Sequence, residues 1–133
     1  MSNSLITTTG FVASDPIFFD KNTQKNDFAS KDFASFRFGS SPRYYDEKSK
    51  SWLDGNTTWY DIQTFGSLAK NVVESISKGD PIIVSGLIRT RIWEDQEGRE
   101  RTNLVIKADS IGHDLVFGQT KFSRNSNEGK TPF

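Results

Sequence analysis

Alternation of apolar and polar side chains with a period of two runs through most of this chain, and it predicts strands with two unlike faces. From Leu5 to Val12 the alternation is weak and contains Gly10, which inside a strand marks a bulge or sharp bend. Asp15-Pro16 predicts a turn, and Ile17-Phe18-Phe19 resumes the strand before the polar turn KNTQKND. From Phe33 to Phe38 the even positions Ala34, Phe36 and Phe38 form a core face, with Phe33, Ser35 and Arg37 opposite. Residues 40 to 56 read as a long polar connection ending near the turn pair Asp54-Gly55. Connections longer than about 12 residues are usually functional or flexible. Thr57 to Phe65 gives a third strand in which Trp59, Asp61, Gln63 and Phe65 share one face and Tyr60, Ile62 and Thr64 the other.

The period then changes. Leu68, Val72 and Ile76 recur every fourth residue, which predicts a helix over residues 67 to 78 capped by Ser67 and closed by Gly79. Asp80-Pro81 ends it, and a fourth strand is expected from Ile82 to about Trp93. The turn EDQEG leads into a fifth strand with Thr102, Leu104, Ile106 and Ala108 as its apolar face. Phe117 to Phe122 is expected to add a short last strand, and SRNSNEGKTPF is too polar to pack. The expected organisation is one domain over residues 1–120 with a short disordered tail over 121–133.

Composition narrows the function classes. The 133 residues suffice for one modest core. Without cysteine there is no disulfide and no thiolate zinc site, and a lone His113 is more often structural than catalytic. No phosphate-cradling glycine loop is present, so neither an enzyme nor a cofactor is expected. No apolar run approaches the roughly 20 residues of a membrane span, and MSNSLITTTG lacks the features of a signal peptide, so a cytoplasmic protein is expected. Lysine plus arginine and aspartate plus glutamate both total 17, so the net charge is zero. Polyanion binding then requires charge segregated by face. Aromatic residues make up 13% of the chain, with 11 phenylalanines and 3 tryptophans, more than one small core needs.

The stretch RTRIWEDQEGRER, Arg89 to Arg101, carries the most telling chemistry. Arg89, Arg91 and Trp93 point one way and Ile88, Thr90 and Ile92 the other. A core cannot hold two unpaired arginines cheaply, and a purely solvated face has no need of Trp93. Cations beside an exposed ring suit a polyanion whose units carry flat π-faces, as single-stranded nucleic acid does. A strand tryptophan is more often core than platform, but parity with Arg89, Arg91, Asp61 and Gln63 reverses this for Trp93 and Trp59. Phe65 is evenly balanced. Arg37, Lys107 and Lys31 lie on outward faces, where a phosphate track and a solvated surface are equally consistent. Arg43, Lys48 and Lys50 interleave with Tyr44, Tyr45 and Trp52 in the long connection. Glu94, Asp95, Glu97 and Glu100 stand close enough to neutralise Arg99 and Arg101.

Three strands, one helix and two strands is the element order of the OB-fold, an all-β, five-stranded Greek-key barrel with the helix between strands three and four. Thr58-Trp59-Tyr60, Phe65-Gly66-Ser67-Leu68-Ala69, Val84-Ser85-Gly86 and RTRIWEDQEGRER, in that order, resemble the bacterial single-stranded DNA-binding protein family over roughly residues 4 to 117. The resemblance implies a homo-oligomer, usually a tetramer, that coats single-stranded DNA without sequence preference in replication, recombination and repair. It also implies that Trp59, Phe65 and Trp93 stack on bases and that Arg89 and Arg91 lie along the DNA path, with Tyr44 near another family aromatic. Members of that family commonly end in a long linker, an acidic cluster and a Pro-Phe tip that recruits partner proteins. This chain has Pro132-Phe133 but a short linker and Lys130 where acid is expected, which argues against recruitment through the tip. The competing function is an OB-fold adaptor of a primosome or recombination complex, its exposed rings gripping protein.

Overall fold

The alternating segments become a six-stranded sheet that curls back on itself. In a computed structural model, the described residues are 4–20 and 32–125. They form β1 (Ser4–Val12), β2 (Ile17–Phe19), β3 (Phe33–Ser40), β4 (Arg43–Asp46), β5 (Ser51–Asp54), β6 (Thr58–Phe65), α1 (Ser67–Ser75), β7 (Pro81–Glu94) and β8 (Glu100–His113). The large sheet runs β1-β7-β8-β6-β3-β2, and β1 pairs again with β3 through Phe11↔Gly39 and Val12↔Phe38. That second pairing closes the ring. The β6–β8 pairing is parallel, from Tyr60↔Leu104 to Gln63↔Lys107, and the others are antiparallel. With β1, β3, β6, β7 and β8 in the ring and α1 between its third and fourth strands, this is the OB-fold.

Inward parity fills the ring. Phe38, Ile62, Ile82, Val84 and Ile106 are fully buried, and Ala69, Val72 and Ile76 bring one side of α1 against them. Each such aliphatic side chain contributes about 1.5–3 kcal/mol relative to exposure. Thr64 is the one inward polar residue of β6, and its hydroxyl donates to the Ala34 carbonyl at 2.9 Å. Two glycines mark where backbones touch. A Cβ on Gly10 would lie 2.2 Å from the Gly39 carbonyl oxygen at the β1–β3 closure, and one on Gly86, opposite the bulge of β8, 2.1 Å from that of Lys107.

Several sequence expectations are corrected. Ile17–Phe19 does resume as a strand, but it pairs with β3 whereas β1 runs mainly along β7. The polar connection over residues 40–56 contains the hairpin β4–β5, with Arg43↔Asp54 to Asp46↔Ser51 in register. The helix ends at Ser75, three residues early, because side chains from elsewhere capture the amides that would have extended it: Ser77 N–H donates to Asp80 at 3.0 Å and Lys78 N–H to Asp15 at 2.8 Å. Gly66 is its N-cap, with no side-chain cap from Ser67, and Gly79 lies beyond its end in a turn with φ 95°.

Phe117–Phe122 forms no strand. Its start is a turn in which Phe117 N–H donates to the Asp114 carbonyl at 3.2 Å and the Phe117 ring meets Phe11 edge-on at 5.4 Å. Ile92, expected on a greasy face, is 63% exposed, because the far ends of β7 and β8 project beyond the ring. The expected turn KNTQKND, Lys31, and residues 126–133 of the expected tail, including Lys130 and Pro132-Phe133, lie outside the described residues. Among the described residues no helix is long and apolar enough to cross a membrane.

Candidate nucleic-acid interface

The outward parity of β2, β3, β6, β8 and β7 composes one continuous face. Register sets its rows. Phe19, Phe33 and Phe65 lie side by side across β2, β3 and β6, with ring centroids 5.8 Å and then 5.1 Å apart. The next row holds Ile17, Ser35, Gln63 and Lys107, and the one after it Arg37, Asp61, Val105 and Arg89. Trp59 lies one step beyond Asp61 on β6, while Arg91 faces Asn103 and Trp93 faces Arg101 along the projecting hairpin.

Polar contacts tie the rows together. Arg37 Nη1 donates to Asp61 Oδ1 at 2.9 Å, and the same guanidinium stands 5.9 Å from the centroid of the Trp59 ring. Asn103 Nδ2 donates to Asp61 Oδ2 at 3.1 Å, so the carboxylate is held from β3 and from β8. Arg89 Nη2 donates to Gln63 Oε1 at 3.2 Å, reaching from β7 over β8 to β6. That crossing accounts for Val105, only 2% exposed although it has outward parity. Lys107 Nζ stands 5.4 Å from the Phe65 centroid, within cation–π range. Arg91 makes no ion pair or side-chain hydrogen bond among the described residues. Ile17, Phe33, Arg37, Asp61, Arg91 and Val105 are among the residues that line an open groove of about 470 Å³ along this face.

The residues predicted from sequence divide by position. Trp59, Phe65, Arg37, Arg89, Arg91 and Lys107 come together on or beside the groove, and Trp59 is 51% exposed. Trp93, 40% exposed, sits farther out on the hairpin stem. Tyr44 stands apart, on the two-stranded sheet β4–β5, where Tyr45 and Trp52 also make an edge-on pair at 5.7 Å. Sequence reasoning did not assign Phe33, Asn103 or Val105 to the site. The parity shared by Phe33 and Arg37 was the signal available for the first. The burial of Val105 depends on a cross-strand arginine and left none.

At the hairpin tip Asp95 and Glu97 neutralise Arg99 and Arg101, while Glu94 and Glu100 make no ion pair with them among the described residues. Asp95 accepts from the Arg99 backbone N–H at 2.9 Å, from Glu97 N–H at 3.0 Å and from Arg101 Nε at 2.9 Å, and Arg99 also pairs with Glu97. These donors, the Arg99 amide foremost, hold the Asp95 carboxyl below its usual 3.8 against opposing desolvation. The tip is an internally compensated cap on a stem that retains Arg91 unpaired. Among the described residues no cluster of metal-ligating side chains is close enough to hold an ion.

This arrangement offers flat rings, a groove and, in Arg89, Arg91 and Lys107, cations without an ion pair among the described residues. Residues 6–114 match the model of the single-strand binding protein family. Single-stranded DNA-binding protein 2 of Tropheryma whipplei is 36% identical over 119 residues, 90% of this chain and 74% of that protein. The crystal structure of a small single-stranded DNA-binding protein from Streptomyces coelicolor superposes with a TM-score of 0.76 at 33% identity, covering 89% of this chain and all of that one. The second single-stranded DNA-binding protein of Mycobacterium smegmatis, at 19% identity, shares the fold with a TM-score of 0.63 over 92% of this chain and all of that one.

Proposed function

This chain belongs to the single-strand binding protein family, and from that premise we propose that it coats single-stranded DNA through rings that stack on bases and cations that contact phosphate. The family is a DNA-binding one without enzymatic activity, and its members serve replication, recombination and repair. The proposed contacts are Trp59, Phe65 and Trp93 for bases and Arg91, Arg89 and Lys107 for phosphate, with Arg37 at the interface through its ion pair to Asp61 and Tyr44 reaching the strand from the β4–β5 hairpin. The observation that carries this reading is the shared outward parity of Trp59, Arg91 and Trp93, two half-exposed rings on the face of a cation that is unpaired among the described residues. Contacts to the π-face and the phosphate are common to every nucleotide, so such a face binds single strands with little regard to sequence.

Tryptophan fluorescence tests this directly. Titration with oligo-dT quenches the emission, weakening as salt rises, and duplex of the same length does not. Equal response to duplex and single strand overturns the proposed interface. Absence of any quenching favours the adaptor, in which the same rings grip protein.

The working unit is proposed to be a homotetramer in the cytoplasm, associated with the nucleoid. Several barrels on one strand would multiply modest sites into high avidity. Sedimentation equilibrium giving the mass of a single chain would remove that part. The proposed domain over residues 1–120 would carry the DNA, and Lys130, where the family commonly has acid, disfavours recruitment of partners through residues 121–133.

A further inference from the structure

A coat that needs only π-faces and phosphates has no use for a carboxylate in its groove, yet Asp61 supplies one. It lies on β6 between Trp59 and Phe65, with its side chain 26% exposed and lining the groove. Its charge is balanced by Arg37, so the pair offers phosphate no net attraction, and its oxygens are left to accept from base edges. Its orientation is fixed by two neighbours, Arg37 at 2.9 Å on Oδ1 and Asn103 at 3.1 Å on Oδ2. Two oxygens offer about four acceptor positions, and these donors leave about half open.

The adjacent outward residue sharpens the chemistry. Gln63 has its carbonyl oxygen engaged by Arg89 at 3.2 Å, which leaves its amide NH2 as the available group. Asp61 is therefore the acceptor on the stretch of β6 between the two rings, and Gln63 is a donor. Every base offers acceptors to a donor. Only adenine, cytosine and guanine carry an exocyclic amino group to give to a carboxylate. Thymine and uracil have a single ring N–H flanked by two carbonyl oxygens, both of which a carboxylate repels.

We infer that Asp61, positioned by Arg37 and Asn103, gives this coat a preference for bases with an exocyclic amino group over thymine and uracil. This rests on the proposed single-strand reading of the same face and adds base discrimination to it. Arg37 acts through the carboxylate, and its charge is spent on Asp61 rather than on phosphate.

Oligo-dC and oligo-dU of equal length read the effect, since both lack the thymine methyl and differ only in the amino group against O4 and the bare N3 against N3–H. At fixed pH 7.5 and fixed salt, the wild-type chain binds oligo-dC about three- to tenfold more tightly than oligo-dU, the range of one good hydrogen bond. Asp61→Asn brings the ratio close to one and does so by tightening oligo-dU, because Arg37 is released to phosphate and the repulsion is gone. Asn103→Ala keeps the charge and removes one of its two holders, so the ratio falls while the salt dependence stays. Thermal melting and circular dichroism confirm that each variant is folded, and either variant alone suffices. A wild-type ratio near one, or a ratio unchanged in the folded variants while both oligomers bind, overturns the inference and leaves the coat intact. Failure of the wild type to bind either oligomer takes down the coat reading and the inference together.

Discussion

Arg37 and Arg91 lie on the same face but in different electrostatic situations. Arg37 is ion-paired with Asp61 at 2.9 Å, whereas Arg91 has no ion pair or side-chain hydrogen bond among the described residues. Contact with phosphate releases counterions only where a net charge is delivered, about 0.7 of a unit in the salt slope per contact on a single strand. Arg91→Ala is therefore expected to lower the slope of log K against log salt by about 0.7. Removing Arg37 and Asp61 together leaves that slope unchanged. Binding isotherms at four or five salt concentrations separate the two cases. The rings act differently, since stacking is worth about 1–3 kcal/mol per base and responds little to salt. Trp93→Ala is expected to weaken oligo-dT binding at least several-fold at every salt concentration. Unchanged affinity in a titration removes Trp93 from the interface.

At the scale of elements, two tight places carry distinct consequences. The β1–β3 closure depends on Gly10, where a methyl group would fall 2.2 Å from the Gly39 carbonyl oxygen. Gly10→Ala must push the strands apart and is expected to cost about 1–3 kcal/mol, read as a lower denaturation midpoint. The tip of β7–β8 depends on Asp95, whose carboxyl is held below 3.8 by the donors around it. A depressed carboxyl contributes ordering that is complete above the unfolded value and is lost as pH falls through the folded one. Amide protection at Glu97 and Arg99, relative to the intrinsic exchange rate at each pH, should accordingly hold at pH 5 and fall only below 3.8, and Asp95→Asn should lower it at neutral pH.

Strands with one buried and one wet face, β3 and β6, were legible because their parity is clean, and the proposed stacking rings came with them. The β4–β5 hairpin escaped because Tyr44, Tyr45 and Trp52 are exposed on both faces, which erases alternation. Its local signal was Asp46, which accepts from Lys48 N–H at 3.2 Å and Ser49 Oγ at 2.9 Å across the turn. The end of α1 is set by Asp15 and Asp80, remote or downstream residues that no helical pattern contains.

For the whole molecule, the ring topology decides when structure can form. Ser4 pairs with Ile88, and the Thr7 hydroxyl is 3.0 Å from that of Ser85, 78 positions along the chain. Contacts this distant in sequence place folding in the range of milliseconds to seconds, with one kinetic phase expected in stopped-flow refolding. Synthesis adds about 5–20 residues per second, so β1 waits several seconds at the ribosome for β7 and β8 to emerge. Until then β1 lacks its long partner β7, and β6 lacks β8 on one side. A ring joined by its most distant strands is completed last during translation, and a nascent chain stalled before β8 offers bare strand edges to its neighbours on the same message.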